Sequence, residues 1–385
     1  MKKRVFILIA IFIINSILLS GCSNYRELDK LPLIAGLTID KNEQGKYLVT
    51  VETVDLNEGG RDTKIKSKLI DSYGDTVVDA VRNLLNIVSP KPYWGQLQLV
   101  IISQEVAKEG IVKILDTLVR YTEVRLNIDI IVSKGKTAKE IFDSQILTTE
   151  IRSYEIKKML GEQMRYLSKT YRVKAYEIIN YLSGEGISSV MPAIRVTENQ
   201  GEKTAELSGS AVFKRDKLVG FLNGDETKSL LFIRDKIRGG VLSVKEPPRS
   251  GHANVTLGIE GSKTKLKPAY SNGKVTINIQ INTKVTMLEN GTNKSFMDEN
   301  KRSVLKHDTE EMLKANIKNV IRKVQEDYGA DVFGFGNTIY RDMPSLWKEI
   351  KPGWKDIFKS LDVNVSINID IRNLGLLDKP IKVGD

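Results

Sequence analysis

The chain of 385 residues has one cysteine, two histidines and three tryptophans. A single thiol excludes an internal disulfide framework, so stability has to come from packing. His252 and His307 lie far apart with no ligand pattern near either, which argues against a zinc site. There is no Walker loop and no G-x-G-x-x-G; the "GFG" at 334 to 336 is too short to count and reads as a turn after a helix. Neither histidine has a triad context. Asp308 with Glu310 and Glu311, and Glu326 with Asp327, read as helix-surface carboxylates beside lysines at helical spacing, not as acid and base. No catalytic set and no cofactor site emerges, so the expectation is a protein that is not an enzyme. Basic runs interleaved with aromatics are also missing, so the net charge of +11 does not mark a nucleic-acid binder. Lysine and arginine are dispersed among acidic residues, and their surplus fits an anionic membrane surface or anionic wall polymers.

The one cysteine has a telling position. Lys2, Lys3 and Arg4 form a basic start, and Val5 to Leu19 are apolar except for Asn15 and Ser16. That order is the order of a secretory signal. The apolar core is about 15 residues, short of the roughly 20 that a helix needs to span a bilayer. Leu19, Ser20, Gly21 and Cys22 fit the lipobox of bacterial lipoproteins, which implies cleavage between Gly21 and Cys22 and a diacylglycerol thioether on Cys22. The thiol is then consumed as an anchor to the lipid bilayer, and removal of residues 1–21 lowers the net charge by three.

With 41% hydrophobic and 28% charged residues, the remainder is ordinary for a folded protein of two or three domains. Residues 22–30 read as a polar tether. Residues 31–198 read as a mixed α/β domain: strands in "LPLIAGLTID" and "KYLVTVETVDL" around a "KNEQG" turn, helices in "GDTVVDAVRNLLNIVSP", "QEVAKEGIVKILDTLVRY" and "VKAYEIINYL", and strands in "WGQLQLVIIS" and "RLNIDIIVSKG". Thr137 and Glu140 form a candidate capping box. Residues 199–250 read as a small β-rich middle domain with one helix near Asp225 to Arg234, too small to stand alone. Residues 251–385 read as an antiparallel sheet carrying a long amphipathic helix. Val275, Ile277, Ile279 and Ile281 alternate with Thr276, Asn278 and Gln280, so one face of that sheet is wet. Leu313, Ile317, Val320, Ile321 and Val324 form the stripe of the helix, and Gly329 its stop. The fold class is α+β (mixed α/β), in three domains.

The segment "DVFGFGNTIYRDMPSLWKEIKPGWKDIFKSL" gathers Phe333, Phe335, Tyr340, Trp347, Trp354 and Phe358. Lys351-Pro352-Gly353 separates the two tryptophans, so they belong on two short helices. The cluster reads either as a satellite core capping a sheet or as an interface, for which Trp347, Trp354 and Phe358 are the candidates.

Four stretches together resemble the Ger(x)C family of spore germination proteins. They are "GCSNYRELDKLPLIAGLTIDK", "SGSAVFKRDKLVGFLNGDETKSLL" with "RGGVLSV", "GADVFGFG", and "WKEIKPGWKDIF" followed by "VNVSINIDIRNLGLL". The resemblance spans essentially the whole mature chain, with one departure: Ser23-Asn24-Tyr25 stands where the family has tryptophan after the lipidated cysteine. It implies a three-domain α/β lipoprotein on the outer face of the spore's inner membrane, working with the integral-membrane A and B type subunits of a germinant receptor. Only Cys22 transfers as a functional position. A lipid-anchored solute-binding protein is the alternative, and it predicts two similar lobes that this sequence does not show.

Overall fold

The computed structural model describes residues 3–7, 31–54, 67–148, 151–245, 255–292 and 295–373. Among the described residues, twelve strands fall into two sheets. The first contains β1 (Leu33–Lys41), β2 (Tyr47–Val54), β3 (Ser67–Gly74), β4 (Leu99–Ile102), β5 (Asp129–Ser133), β6 (Val190–Asn199), β7 (Glu202–Lys214) and β8 (Lys217–Leu222), in the order β3-β2-β1-β4-β5-β6-β7-β8. The second contains β9 (Val241–Val244), β10 (Val255–Ser271), β11 (Lys274–Asn290) and β12 (Asp362–Asn373), in the order β12-β11-β10-β9.

The centre of the first sheet is parallel, and its strands are covered on both faces. In β4 and β5 every residue is buried, as expected where helices lie on both sides. Alternate side chains serve different cores. Val100, Ile102, Ile130 and Val132 join the main core, while Leu99, Ile101 and Ile131 pack with Ile141, Phe142, Ile156 and Leu160 on the opposite face.

Three buried carboxylates tie helices and loops to this sheet. Glu52 of β2 accepts the N–H groups of Arg152 (2.7 Å) and Ser153 (2.8 Å), the start of the helix Arg152–Tyr166. Asp40 of β1 accepts the N–H groups of Ala138 and Lys139 at the start of the helix Lys139–Asp143. Negative charge at a helix N-terminus is favourable, because unpaired N–H groups gather there. Asp129 of β5 takes a two-pronged bond from Arg172 (2.9 and 2.9 Å) and one from Lys174 (2.7 Å).

Several expectations change in detail. The run 104–121 is two helices, Gln104–Glu109 and Val112–Arg120, because Gly110 adopts φ 131° and a Cβ there would lie 2.4 Å from Asp216 Oδ2. Strands β7 and β8 continue the first sheet, and β9 opens the second, so the middle stretch is shared between the two. Thr137 Oγ1 accepts from Glu140 N–H at 3.3 Å, one half of the anticipated capping box.

The second sheet is built on a hairpin. β10 and β11, 17 residues each, meet at Asn272 (φ 51°) and Gly273 (φ 75°), the pair of left-handed residues that a two-residue turn of this hand requires. The expected antiparallel sheet is mixed: β12 pairs parallel to β11. The reason is the connection. The chain leaves β11, crosses the sheet as the long helix Glu299–Lys323, and returns in the same direction. Asp298 caps this helix through Asn300 and Lys301 N–H. Leu305, Leu313, Ile317, Val320 and Ile321 are buried beneath it. A wider final turn, Val324–Tyr328, ends at Gly329 with φ 52°.

Candidate functional site

The two sheets meet where the loop 184–189 lies against the segment 329–337. Gly186 has φ 63°, and its backbone runs so close to Gly336 that a Cβ would sit 2.4 Å from the Gly336 carbonyl carbon. Asn337 N–H donates to the Gly186 carbonyl at 2.8 Å, and Ser188 N–H to that of Asp331 at 2.7 Å.

Asp331 organises the turn that follows. Its side chain accepts the N–H groups of Phe333 (3.2 Å), Gly334 (2.9 Å), Phe335 (3.1 Å) and Gly336 (2.7 Å). Gly334 takes φ 79° and opens the helix Phe335–Asp342. Beside it stands Arg234, at the end of the helix Gly224–Ile233. Its guanidinium donates to the Val332 carbonyl, to the Ser188 carbonyl (3.0 Å) and to Tyr171 Oη (2.9 Å). It also lies over the rings of Tyr171 (5.0 Å) and Tyr181 (5.1 Å). A planar fork with several donors suits this geometry in a way that a lysine does not.

Trp347 and Trp354 occupy two helices, Pro344–Ile350 and Trp354–Lys359, separated at Lys351–Gly353 as the Pro-Gly pair implies. Trp347, Trp354 and Phe358 are 3%, 9% and 1% exposed, so they form an inner wall. The tryptophan rings meet edge to face at 5.4 Å, and Phe333 stacks on Phe335 at 5.1 Å. Their outer edges line a cleft of about 580 Å³ with Lys214, Arg215, Glu185, Lys351 and Lys355. Glu185 is held by Lys351 (2.6 Å) and by Trp347 Nε1 (3.2 Å), and this pairing pulls its carboxyl below the usual value. Lys214, Arg215, Lys355 and Lys359 have no carboxylate partner among the described residues. Burial lowers the Lys214 ammonium, and the charges of Lys355, Lys359 and Arg215 lower it further.

Gly21 and Cys22 lie outside the described residues, as does His252. His307 is exposed on the long helix, and Glu310 and Glu311 pair there with Lys306 (3.7 Å) and Lys314 (2.9 Å). Sequence reasoning missed Arg234 and Asp331. The available signal was Asp331 standing just ahead of a Gly-x-Gly turn, where an Asp side chain can accept successive N–H groups.

The family description "Spore germination B3/ GerAC like, C-terminal" matches residues 208–375, and "Spore germination protein N-terminal domain" matches residues 24–196. The chain belongs to the Ger(x)C family. This is a family of spore germination receptor components, generally non-catalytic. Spore germination protein B3 of Bacillus subtilis (strain 168) is 26% identical, covering 94% of this chain and 96% of its own length. Spore germination protein KC of the same organism is 24% identical, covering 98% of each. The crystal structure of the GerBC protein aligns with a TM-score of 0.56 at 21% identity, over 90% of this chain and 99% of that one, which establishes a shared fold. Among the described residues of this Ger(x)C chain, no helix is long and apolar enough to cross a membrane.

The junction of the Ger(x)C chain carries a pH signature. Burial pushes Asp331 from 3.8 up to about 6, opposed by the N–H groups of Gly336, Phe335 and Gly334 and by Arg234. Burial likewise pushes Asp40 up to about 6, opposed by the N–H groups of Ala138 and Lys139. A folded-state value above the unfolded one means that the fold holds the proton more tightly. The stability these groups contribute is therefore complete below 3.8 and is lost as the pH rises through about 6. The slope is opposite to that of ordinary acid unfolding. We expect each group to remove on the order of 2–3 kcal/mol across that window. Asp331→Asn should reduce the pH dependence of the urea midpoint between those values by about half, Asp40 supplying the rest. An unchanged slope would assign the titration elsewhere.

Proposed function

We propose that this Ger(x)C chain is the lipid-anchored, non-enzymatic subunit of a spore nutrient germinant receptor. Acylated Cys22 holds it on the outer face of the spore's inner membrane, and it acts by contact with integral-membrane A and B type subunits. The observation that carries this reading is the pair of family matches, one ending in β6 and the other beginning in β7, which together take in nearly the whole chain. Each acyl methylene buried in the bilayer contributes about 0.8 kcal/mol, so a two-chain anchor holds firmly. The contact surface is the mouth of the cleft in front of Trp347, Trp354 and Phe358. Those rings are already packed against one another, so they supply a stiff wall, and Lys214, Arg215 and Lys355 supply the recognition. Their unpaired positive charge suits an acidic loop of a membrane subunit.

The test is made in spores of the source organism. Cys22→Ala should release the chain from the inner-membrane fraction and abolish germination by one class of nutrient. Retention on the membrane would refute the anchor. Release with every nutrient response intact would refute the receptor role. Lys214→Glu combined with Lys355→Glu should leave the chain on the membrane and abolish the same response, whereas an intact response would remove the cleft from the interface.

A further inference from the structure

The outer face of the second sheet carries a regular polar array. The registers of β10, β11 and β12 align Lys267 with Asn278 and Asn364, Lys265 with Gln280 and Ser366, and Lys263 with Asn282 and Asn368. Eight of these nine side chains are exposed and Asn278 is half-buried, while their neighbours along each strand, such as Thr264, Ile279, Ile281 and Val365, point into the core. Neighbouring strands lie about 4.8 Å apart and alternate residues on one strand about 6.8 Å apart, so the array is a regular grid. One row is cationic and the other two are neutral. None of the nine positions holds a carboxylate or an apolar side chain; Asp362 and Asp370 of β12 lie beyond the two ends of the grid, and Asp235 reaches it only at Lys263.

Asparagine is depleted in strands, where β-branched and aromatic residues fit better. Four asparagines and a glutamine on one sheet face are therefore not explained by the fold. The amides are also held in order: Asn364 Nδ2 donates to Asn278 Oδ1 at 3.1 Å, and Lys306 Nζ donates to Asn368 Oδ1 at 3.0 Å. Lys263 is tied to Asp235. Lys265 and Lys267 have no carboxylate partner among the described residues.

We propose that this face binds an anionic, hydroxyl-rich polysaccharide. Each primary amide carries two donors and an acceptor, and the groups left over from the Asn364–Asn278 and Lys306–Asn368 contacts match a hydroxyl that donates and accepts in turn. The lysine row then pairs with carboxylates or phosphates set along one side of the polymer. An acidic polypeptide would satisfy the lysines and leave the two neutral rows without partners. An anionic bilayer would attract the lysine row through its surface charge and leave the two neutral rows unused.

The purified full chain in detergent is tested by surface plasmon resonance against hyaluronan, with dextran and polyglutamate as comparisons. This measurement needs no receptor, so its failure and that of the receptor assignment are separable. Saturable binding to hyaluronan is expected, weaker to dextran and to polyglutamate. The triple variant Lys263→Gln, Lys265→Gln, Lys267→Gln and the amide variant Asn278→Ala, Asn364→Ala should each weaken it by about tenfold or more. Lys265→Gln alone, a minimal exposed change, should weaken it measurably if the triple variant fails to fold. The proposal is overturned by absence of saturable binding or by equal binding of polyglutamate that only the lysine variants disturb.

Discussion

Gly186→Ala is expected to destabilise the protein by about 4 kcal/mol, through two additive causes. The left-handed backbone costs a residue with a side chain about 1–2 kcal/mol. A new Cβ would also meet the Gly336 carbonyl carbon at 2.4 Å and Asn337 N at 2.6 Å. Backbone cannot rotate away as a side chain can, so this crowding adds about 1–3 kcal/mol. Gly201 separates the two contributions. It has φ 84°, and a Cβ there would have nothing within 4 Å, so Gly201→Ala should show the backbone cost alone. Urea midpoints of the two variants decide the matter, and equal shifts would mean that the close approach at Gly186 is relieved at no cost.

Arg234→Met should cost about 4 kcal/mol as well, for a different reason. The substitution keeps the aliphatic bulk but leaves the Val332 and Ser188 carbonyls without their donor, while Tyr171 Oη keeps only Tyr181 Oη, at 3.0 Å. An unsatisfied buried acceptor costs about 1–3 kcal/mol, and the lost cation–π contacts add about 1 kcal/mol. Arg234→Lys should recover less than half, because one ammonium cannot reach three acceptors in fixed directions. A spectroscopic readout accompanies the stability change. Burial and then Tyr171 raise the Tyr181 phenol, and Arg234 holds it down. Loss of the guanidinium should drive the tyrosine titration still higher. Wild-type stability in Arg234→Lys would show that charge alone, not the fork, holds the junction.

Elements with a strong apolar period were legible in the sequence. The β1–β2 hairpin, the stripe of the long helix and the alternation in β11 and β12 each announce a buried face locally. The separation of Trp347 from Trp354 onto two helices was also legible, from Pro352 and Gly353. Strand β3, "SKLIDSYG", was not, because an edge strand needs little apolar surface and shows weak alternation. The helix Arg152–Tyr166 was not singled out either. Its buried positions include Ser153 and Glu155, and its start is fixed by Glu52, which lies on a distant strand. The parallel setting of β12 depends on where the long helix delivers the chain, and no local pattern records that. The junction was hidden for the same reason: Arg234, Tyr171, Tyr181 and Asp331 come from four separate segments, and each taken alone resembles an ordinary surface residue.

The parallel pairing of β12 also sets an order of assembly. The first sheet is complete in the sequence at Leu222, so all its strands are available while the remainder of the chain is still emerging. The second sheet is different. β11 has one edge open until Asp362–Asn373 arrives, and the long helix has no strand beyond β11 to rest on until then. Closing that long loop carries an entropic cost. The strand Asp362–Asn373 thus completes the second sheet, and until it arrives the hairpin β10–β11 waits with the β11 edge unpaired.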